Sequence, residues 1–346
     1  SVALLDGTSA TAVSTALESA TFTVAEVQER PYTQRAPAPF ITSTLQQESG
    51  RKLRYSAQRT MQVAQRLYEN GYITYMRTDS PNLSEQAINA ARRQATELYG
   101  AEYIPDKPRR YTSKAKGAQE AHEAIRPAGE IFRTPDSLRR ELDADALRLY
   151  ELVWMRTVAS QMKDATGVRT QVRLQADTGE RGTATFQTSG KVITFPGFLR
   201  AYVEGSDDPD AALDDQERIL PPLTEGQSLD PTSTEAKGHE TQPPSRWTEA
   251  SLIRELEERG IGRPSTYAPI ISTIVDRQYV NRERTSMKST LLGQVVSDQL
   301  TKHFPNIMDL DFTAQLEQQL DEVANGAQEW VPLLDEFYGP FKAALD

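Results

Sequence analysis

The stretch VRTQVRLQA (168–176) alternates without a break. Val168, Thr170, Val172, Leu174 and Ala176 fall on one face, and Arg169, Gln171, Arg173 and Gln175 on the other. A period of two is the signature of a half-buried strand. Upstream, about 143–164, Leu147, Tyr150, Trp154, Val158 and Met162 recur at helical spacing, so the period switches from 3.6 to 2 near residue 165. Further strands fit 182–188 and 191–195, with Ser189-Gly190 as the turn between them. A second β region opens near the N-terminus: Phe22, Val24 and Val27 follow an Ala/Ser/Thr-rich helix at 8–20. Pro31, Pro37 and Pro39 then read as a linker. Two separated β segments flanking a helical run predict one β domain with a helical domain inserted in it.

Within the insert, Ala57, Thr60, Met61, Ala64, Leu67 and Tyr68 share a helix face, with Ser56 as N-cap and Gly71 at C′. Ala87, Ile88, Ala91, Ala95 and Leu98 repeat the pattern over 84–99. The stretch 204–217 carries seven acids and no base and reads as a solvated loop, and 221–246 is extended and Pro-rich. From about 247, Leu252, Ile253, Leu256 and Ile261 lead into the turn GIGRPS. A second helix starts near Ser265 and a strand at Tyr279-Val280. Helix, tight turn, helix and strand suit a helix-turn-helix or winged helix, or equally an ordinary helical hairpin.

The chain has 346 residues, room for two or three domains, and 38% hydrophobic residues, enough for a real core. No apolar run approaches the roughly 20 residues of a membrane helix, and the start has neither an initiator Met nor a signal-peptide pattern. This reading expects an excised or processed soluble product. The absence of cysteine excludes disulfides, thiol nucleophiles and Cys-ligated zinc, and three scattered histidines make a His-based metal cluster a poor fit. Net charge is −10, yet residues 51–133 carry +6 and the remainder −16. Phosphate binding follows the local field. A solvated charged face accounts for the charge equally well. No Walker loop, dinucleotide glycine fingerprint or compact acidic triad occurs.

Three constellations could carry chemistry. In YITYMRTDS (72–80), Tyr75 and Arg77 lie two apart and share a side of an extended chain. A tyrosine with its ordinary pKa of about 10 needs such a guanidinium to favour the phenolate and to stabilise charge on an attacked phosphate. Thr74 and Thr78 flank the pair and Asp79 adds a carboxylate. In QEAHEAIRP (119–127), His122 and Arg126 are four apart and would share a helix face. In GIGRPSTY (260–267), Ser265 and Thr266 open a helix whose free N–H groups, with Arg263, make a phosphate seat; Ser265 serves as well as a plain N-cap.

Five segments in order, PFITSTLQQESGRKL (39–53), AQRLYENGYITYMRTDSPNLS (64–84), AQEAHEAIRP (118–127), EASLIRELEERGIGRPSTYAPIISTIVDRQYV (249–280) and DFTAQLEQQLDEVANG (311–326), resemble the bacterial type IA DNA topoisomerases. The resemblance implies a multi-domain α+β fold: mostly helical domains plus a β-rich arch, a toroid-like core without its Toprim domain. The arch would comprise 1–34 and 162–242, the helical domain carrying the tyrosine 35–161, and the domain with the helix-turn-helix-like unit 243–346. Tyr75 would form a 5′-phosphotyrosyl link with one DNA strand, assisted by Arg77 and His122. Gln65 and Glu69 match helix positions near the tyrosine, and Arg263, Thr266 and Arg277 match DNA-contacting positions. With them, Thr78, Asp79 and Ser265 complete the candidate DNA-binding set. The resemblance also implies relaxation of negative supercoils without ATP, single-stranded or underwound DNA as partner, no membrane, a monomer, and a cytoplasmic, nucleoid-associated setting. Mg²⁺ would be bound by the absent Toprim domain, with no metal site in this chain and no cleavage by it alone. The alternatives are a non-catalytic winged-helix-like scaffold for single-stranded DNA and a topoisomerase III or reverse gyrase paralogue.

Overall fold

The computed structural model describes residues 5–112, 123–205 and 219–345. The chain divides into two compact units, one of Ser1–Arg35, Asp164–Gly197 and Asp208–Pro244, the other of Ala36–Lys163, Phe198–Asp207 and Ser245–Asp346. Each combines residues distant in sequence. Most of the 204–217 stretch lies outside the described residues.

The first unit is a helix and an antiparallel sheet. Helix α1 (Gly7–Leu17) begins where the Asp6 carboxylate accepts the Ser9 N–H at 2.7 Å. Strands β1 (Phe22–Gln34), β2 (Ala165–Asp177), β3 (Thr183–Phe195) and β4 (Ser228–Leu229) follow in the order β3-β2-β1-β4. The alternation of β2 holds: Val172 and Ala176 are buried, while Arg169, Arg173 and Gln175 are exposed.

Two expectations fail here. Ser189-Gly190 is no turn: β3 runs through it, with Ser189 opposite Gln171 and Gly190 opposite Thr170. A turn there would leave the ladder groups of β2 unpaired. The reversal is instead at Thr178–Gly182, closed by the Thr178 N–H donating to Gly182 O at 2.9 Å. Pro31 likewise belongs to β1, paired with Val168, rather than to a linker. Because β4 covers only Phe22 and Thr23, Pro31 sits where β1 has a neighbour on one side, and its missing N–H is tolerated.

The second unit is helical. Its elements are α2 (Thr42–Glu48), α3 (Ala57–Glu69), α4 (Glu85–Tyr99), α5 (Pro135–Leu138) and α6 (Ala144–Ser160), then α7 (Glu249–Glu258) and α8 (Tyr267–Asp276), the hairpin β5 (Val280–Glu283) and β6 (Ser286–Ser289), and α9 (Leu291–His303), α10 (Phe312–Ala324) and α11 (Trp330–Leu345). Ser56, Ser84 and Asp143 cap α3, α4 and α6 with their side-chain oxygens. Gly71, with φ 74°, ends α3 as the sequence predicts. The C-terminal half of α6 is buried nearly all round, and Trp154 Nε1 donates to Gln94 Oε1 of α4 at 2.6 Å. Leu98 and Tyr68, predicted inward, are exposed.

The helix pair near the C-terminus is built onto α3. Ala57, Ile253, Tyr267, Ala268, Ile271 and Met287 form one buried cluster, with Met61, Leu252 and Val280 packed around it. At its edge, Glu249 Oε2 accepts the Ala57 N–H at 2.8 Å. The strand pair β5–β6 follows α7 and α8, the element order that the helix-turn-helix or winged-helix expectation calls for. Helix α8 starts at Tyr267 after a turn in which the Thr266 N–H donates to Arg263 O at 2.9 Å. Ser265 is therefore an exposed turn residue and not the helix cap.

Candidate functional site

Residues 72–80 form no helix. Burial alternates along them: Tyr75 and Arg77 are exposed, Met76 and Thr78 buried. The chain bends at Thr74 and Met76, so it is not the extended run that the sequence predicts, yet Tyr75 and Arg77 both reach solvent. The Tyr75 ring packs edge-on against Tyr68 at 5.2 Å between centroids, which explains why Tyr68 faces outward. Tyr75 is 43% exposed, and its hydroxyl has no hydrogen-bond partner among the described residues. Arg77 pairs with no carboxylate there either.

Two flanking segments hold this loop. On one side the Thr74 N–H donates to Arg126 O at 2.9 Å and the Ala128 N–H to Tyr72 O at 2.9 Å. On the other, Thr42 at the start of α2 donates its N–H to Thr78 O at 2.9 Å. Arg126 is buried, bidentate on Glu123 at 2.8 and 2.9 Å, and donates to Pro127 O and Gly129 O. Burial, the largest single effect, raises the Glu123 carboxyl, but the bonds from Arg126 and Ser84 and the Arg126 charge together outweigh it and hold the carboxyl below the ordinary value.

The shared helix face of His122 and Arg126 is not what forms. Residues 123–128 are non-helical, with Ile125 bridged to Phe40 and Pro127 to Ile73. Pro127 disfavours helical geometry at Arg126, and the bridges take its backbone groups. His122 itself lies outside the described residues.

Beside the loop, Arg77 lines a groove with Gln58, Gln62 and Gln65 of α3 and Ser272 and Thr273 of α8. Gln65 Nε2 donates to Glu69 Oε1 at 2.6 Å. Gln58, Gln62, Ser272 and Thr273 escaped the sequence reading. Their signal was present as polar residues at helical spacing opposite each helix's apolar face, which solvent exposure explains as readily.

The other candidates divide. Thr78 is 2% exposed, and its Oγ1 accepts the Ser80 N–H at 3.1 Å, so its side chain shapes the loop. Arg263 is held by Asp321 at 2.7 Å and Glu317 at 3.3 Å, both on α10. Thr266 Oγ1 accepts the Arg263 N–H at 2.8 Å, and Gly262, with φ 83°, makes that turn. Arg277, at the C-terminal end of α8, is exposed. Burial holds the Tyr267 phenol in its protonated form. Glu257, Asp79 and Glu317 act in the same sense and Arg263 against them. Asp79 of the tyrosine loop and Arg263 of the turn thus bear on one buried phenol.

Among the described residues, no group of three or more His, Asp or Glu side chains is arranged to hold a metal ion. No helix there is long and apolar enough to cross a membrane. The arrangement offers an exposed phenol and a guanidinium with no carboxylate partner among the described residues, beside a groove of mixed polar and apolar lining that also includes Met61, Ala268 and Pro269, a set suited to attack on a phosphodiester.

Comparison with known proteins gives one consistent answer. The DNA topoisomerase family profile matches residues 2–335. DNA topoisomerase 1 of Mycobacterium leprae is 55% identical over 97% of this chain and 36% of its own length. That of Synechococcus elongatus is 51% identical over 97% and 37%. Full-length topoisomerase I of Thermotoga maritima matches the whole chain and 55% of its own, with TM-score 0.84 and 34% identity. The chain thus spans about a third of the length of the curated relatives it matches.

Proposed function

Since this chain belongs to the DNA topoisomerase family, we propose that it supplies the gate segment of an ATP-independent type IA enzyme relaxing negatively supercoiled DNA. The observation carrying this reading is an exposed Tyr75 two residues from an exposed Arg77, on a loop held by backbone bonds at Thr74 and Thr78. Tyr75 Oη attacks a DNA phosphorus and forms a 5′-phosphotyrosyl bond. The P–O bond to the neighbouring sugar breaks, leaving a 3′-hydroxyl. Arg77 offsets the charge gathering on the phosphate oxygens. After a strand passes, the 3′-hydroxyl attacks the phosphotyrosyl phosphorus and releases Tyr75. One phosphodiester is exchanged for another in each direction, so no ATP is needed.

His122 would support the phosphate. Gln65, Glu69, Asp79, Arg263, Ser265, Thr266 and Arg277 would contact single-stranded DNA, with Thr78 acting through the loop's shape. In this reading the β-rich arch is 1–34 with 162–242, the tyrosine domain 35–161 and the helix-turn-helix-like domain 243–346. Mg²⁺ would in this reading be bound by the Toprim domain of the full-length enzyme, with no metal site in this chain. The setting is the nucleoid, and the enzyme works as a monomer.

The rival is a winged-helix scaffold for single-stranded DNA, favoured by the β5–β6 hairpin after α8. Labelled single-stranded DNA and Mg²⁺ separate the two. With a family Toprim domain added in trans, the chain should yield a denaturation-resistant DNA adduct that Tyr75→Phe abolishes while binding persists. An adduct that survives in Tyr75→Phe would sink the proposed nucleophile.

A further inference from the structure

The tyrosine loop is held by two threonine hydroxyls that belong to none of the candidate contacts to DNA. Thr42, fully buried, donates its Oγ1 proton toward Met76 O at 2.8 Å and Thr78 O at 3.0 Å. The same oxygen accepts the Thr78 N–H at 2.9 Å. Thr74 Oγ1 donates to Ala124 O at 2.7 Å and accepts the Arg126 N–H at 3.0 Å. Both hydroxyls therefore act as donor and acceptor at once, Thr42 on three backbone groups and Thr74 on two. The anchored residues are 74, 76 and 78, and the projecting ones are 75 and 77. Each anchor lies between or beside the two reacting side chains.

Resting on the Tyr75 reading, we infer that Thr42 and Thr74 are positioning residues for the reaction. They set where the Tyr75 oxygen and the Arg77 guanidinium stand relative to a bound phosphate. Thr42 ties the loop to α2. Thr74 ties it to the 124–126 segment, so the nucleophile's loop is held from two sides. The chemistry depends on this because a displacement of about 1 Å costs a reaction on the order of a hundredfold in rate. A groove that tracks the DNA backbone tolerates more. The expected signature is thus a loss of rate without loss of affinity.

The test compares Thr42→Val and Thr74→Val, which keep shape and delete the hydroxyl, with Thr42→Ser and Thr74→Ser, which keep it. With a Toprim domain in trans, the valine variants should form the Tyr75–DNA adduct about 10–100-fold more slowly. Affinity for a single-stranded oligonucleotide should stay within about twofold, and the serine variants should recover most of the rate. Valine variants with wild-type rates, serine variants as slow as valine, or a loss lying wholly in affinity would each overturn the inference. A second readout needs no DNA: amide exchange in the chain itself. Thr42→Val should speed exchange at the Thr78 N–H, and Thr74→Val at the Arg126 N–H, with α3 and α6 unchanged. Unchanged exchange at those amides, or acceleration throughout α3 and α6, refutes positioning in favour of no role or a global one. If the wild-type chain yields no Tyr75-dependent adduct, the proposed function fails while the exchange readout still judges the two threonines.

Discussion

Replacing Glu48 with Gln tests how the second unit holds the segment 198–205. The Glu48 side chain at the end of α2 is 2% exposed. Its Oε2 accepts from the Tyr202 hydroxyl and from the Gly205 N–H at 3.0 Å, and its Oε1 lies 3.2 Å from Arg51 Nη1. Lys52 Nζ is 3.9 Å away and sits over the Tyr202 ring at 4.1 Å. Around this centre Arg156 spans Ala38 O at 2.6 Å and Glu204 at 2.9 Å. Glutamine keeps the shape, but it removes the charge and turns one acceptor into a donor facing donors. Removing one partner of a fully buried pair costs roughly 3–5 kcal/mol. Here the Arg51 and Lys52 side chains are 12% and 27% exposed, so water takes over part of their solvation. Hydrogen bonds to a charged group contribute about 1.5–3 kcal/mol. The expected loss is about 2–3 kcal/mol, or about 4–12 °C in Tm for a unit of this size. Urea and thermal melts followed by circular dichroism measure it, with Tyr202→Phe beside it at about 1–2 kcal/mol. The double variant should fall short of additivity by about 1 kcal/mol, because the two changes delete one shared bond. A Glu48→Gln loss below about 0.5 kcal/mol would show that the cluster is surface-like and the reasoning wrong.

Burial raises the Glu257 pKa, and the bonds from Ser43 at 2.6 Å and from Gln47 only partly offset it. The folded chain then holds this proton more tightly than the unfolded one. Stability should fall as pH rises from the unfolded carboxyl value through the raised folded value, and should not recover above it. Glu257→Gln should flatten that slope and be at least as stable at pH 7; urea midpoints from pH 4 to 8 that fall more steeply in the variant refute this. In the first unit, a Cβ on Gly167 would sit 2.0 Å from Val192 O, so Gly167→Ala should cost about 1–3 kcal/mol by melting, and an unchanged Tm contradicts the register. Arg263→Gln gives up two half-exposed ion pairs, so stability should move by less than about 1 kcal/mol. If Arg263 turns to a phosphate when DNA binds, that variant's binding should lose about one unit of salt slope, and an unaltered slope removes Arg263 from the interface.

What could be read in the linear chain was whatever has a period or a local signature. The alternation at 168–176, the face of α3, the Ser56 cap and Gly71 are short-range consequences of backbone geometry and burial. The exposure of both Tyr75 and Arg77 fits the spacing of two, but the bends at Thr74 and Met76 left no local signature. Three of the misreadings share one cause: a partner distant in sequence overrode a local cue. Ser189-Gly190 looks like a turn until β2 supplies its hydrogen bonds, and Pro31 looks like a linker until β1 proves to have one neighbour there. The helix foreseen for His122 and Arg126 gives way to bridges with Phe40 and Ile73. Tyr68 leaves its predicted face for the Tyr75 ring. The anchoring hydroxyl of Thr42 was out of reach, because threonine carries no positional signal and its targets lie 34 and 36 residues away. Local propensity and periodicity decide which segments become helix or strand. Which side chains meet depends on chain crossings that bring residues 42, 74, 126 and 257 to one place, and those follow from packing the whole unit around a common core.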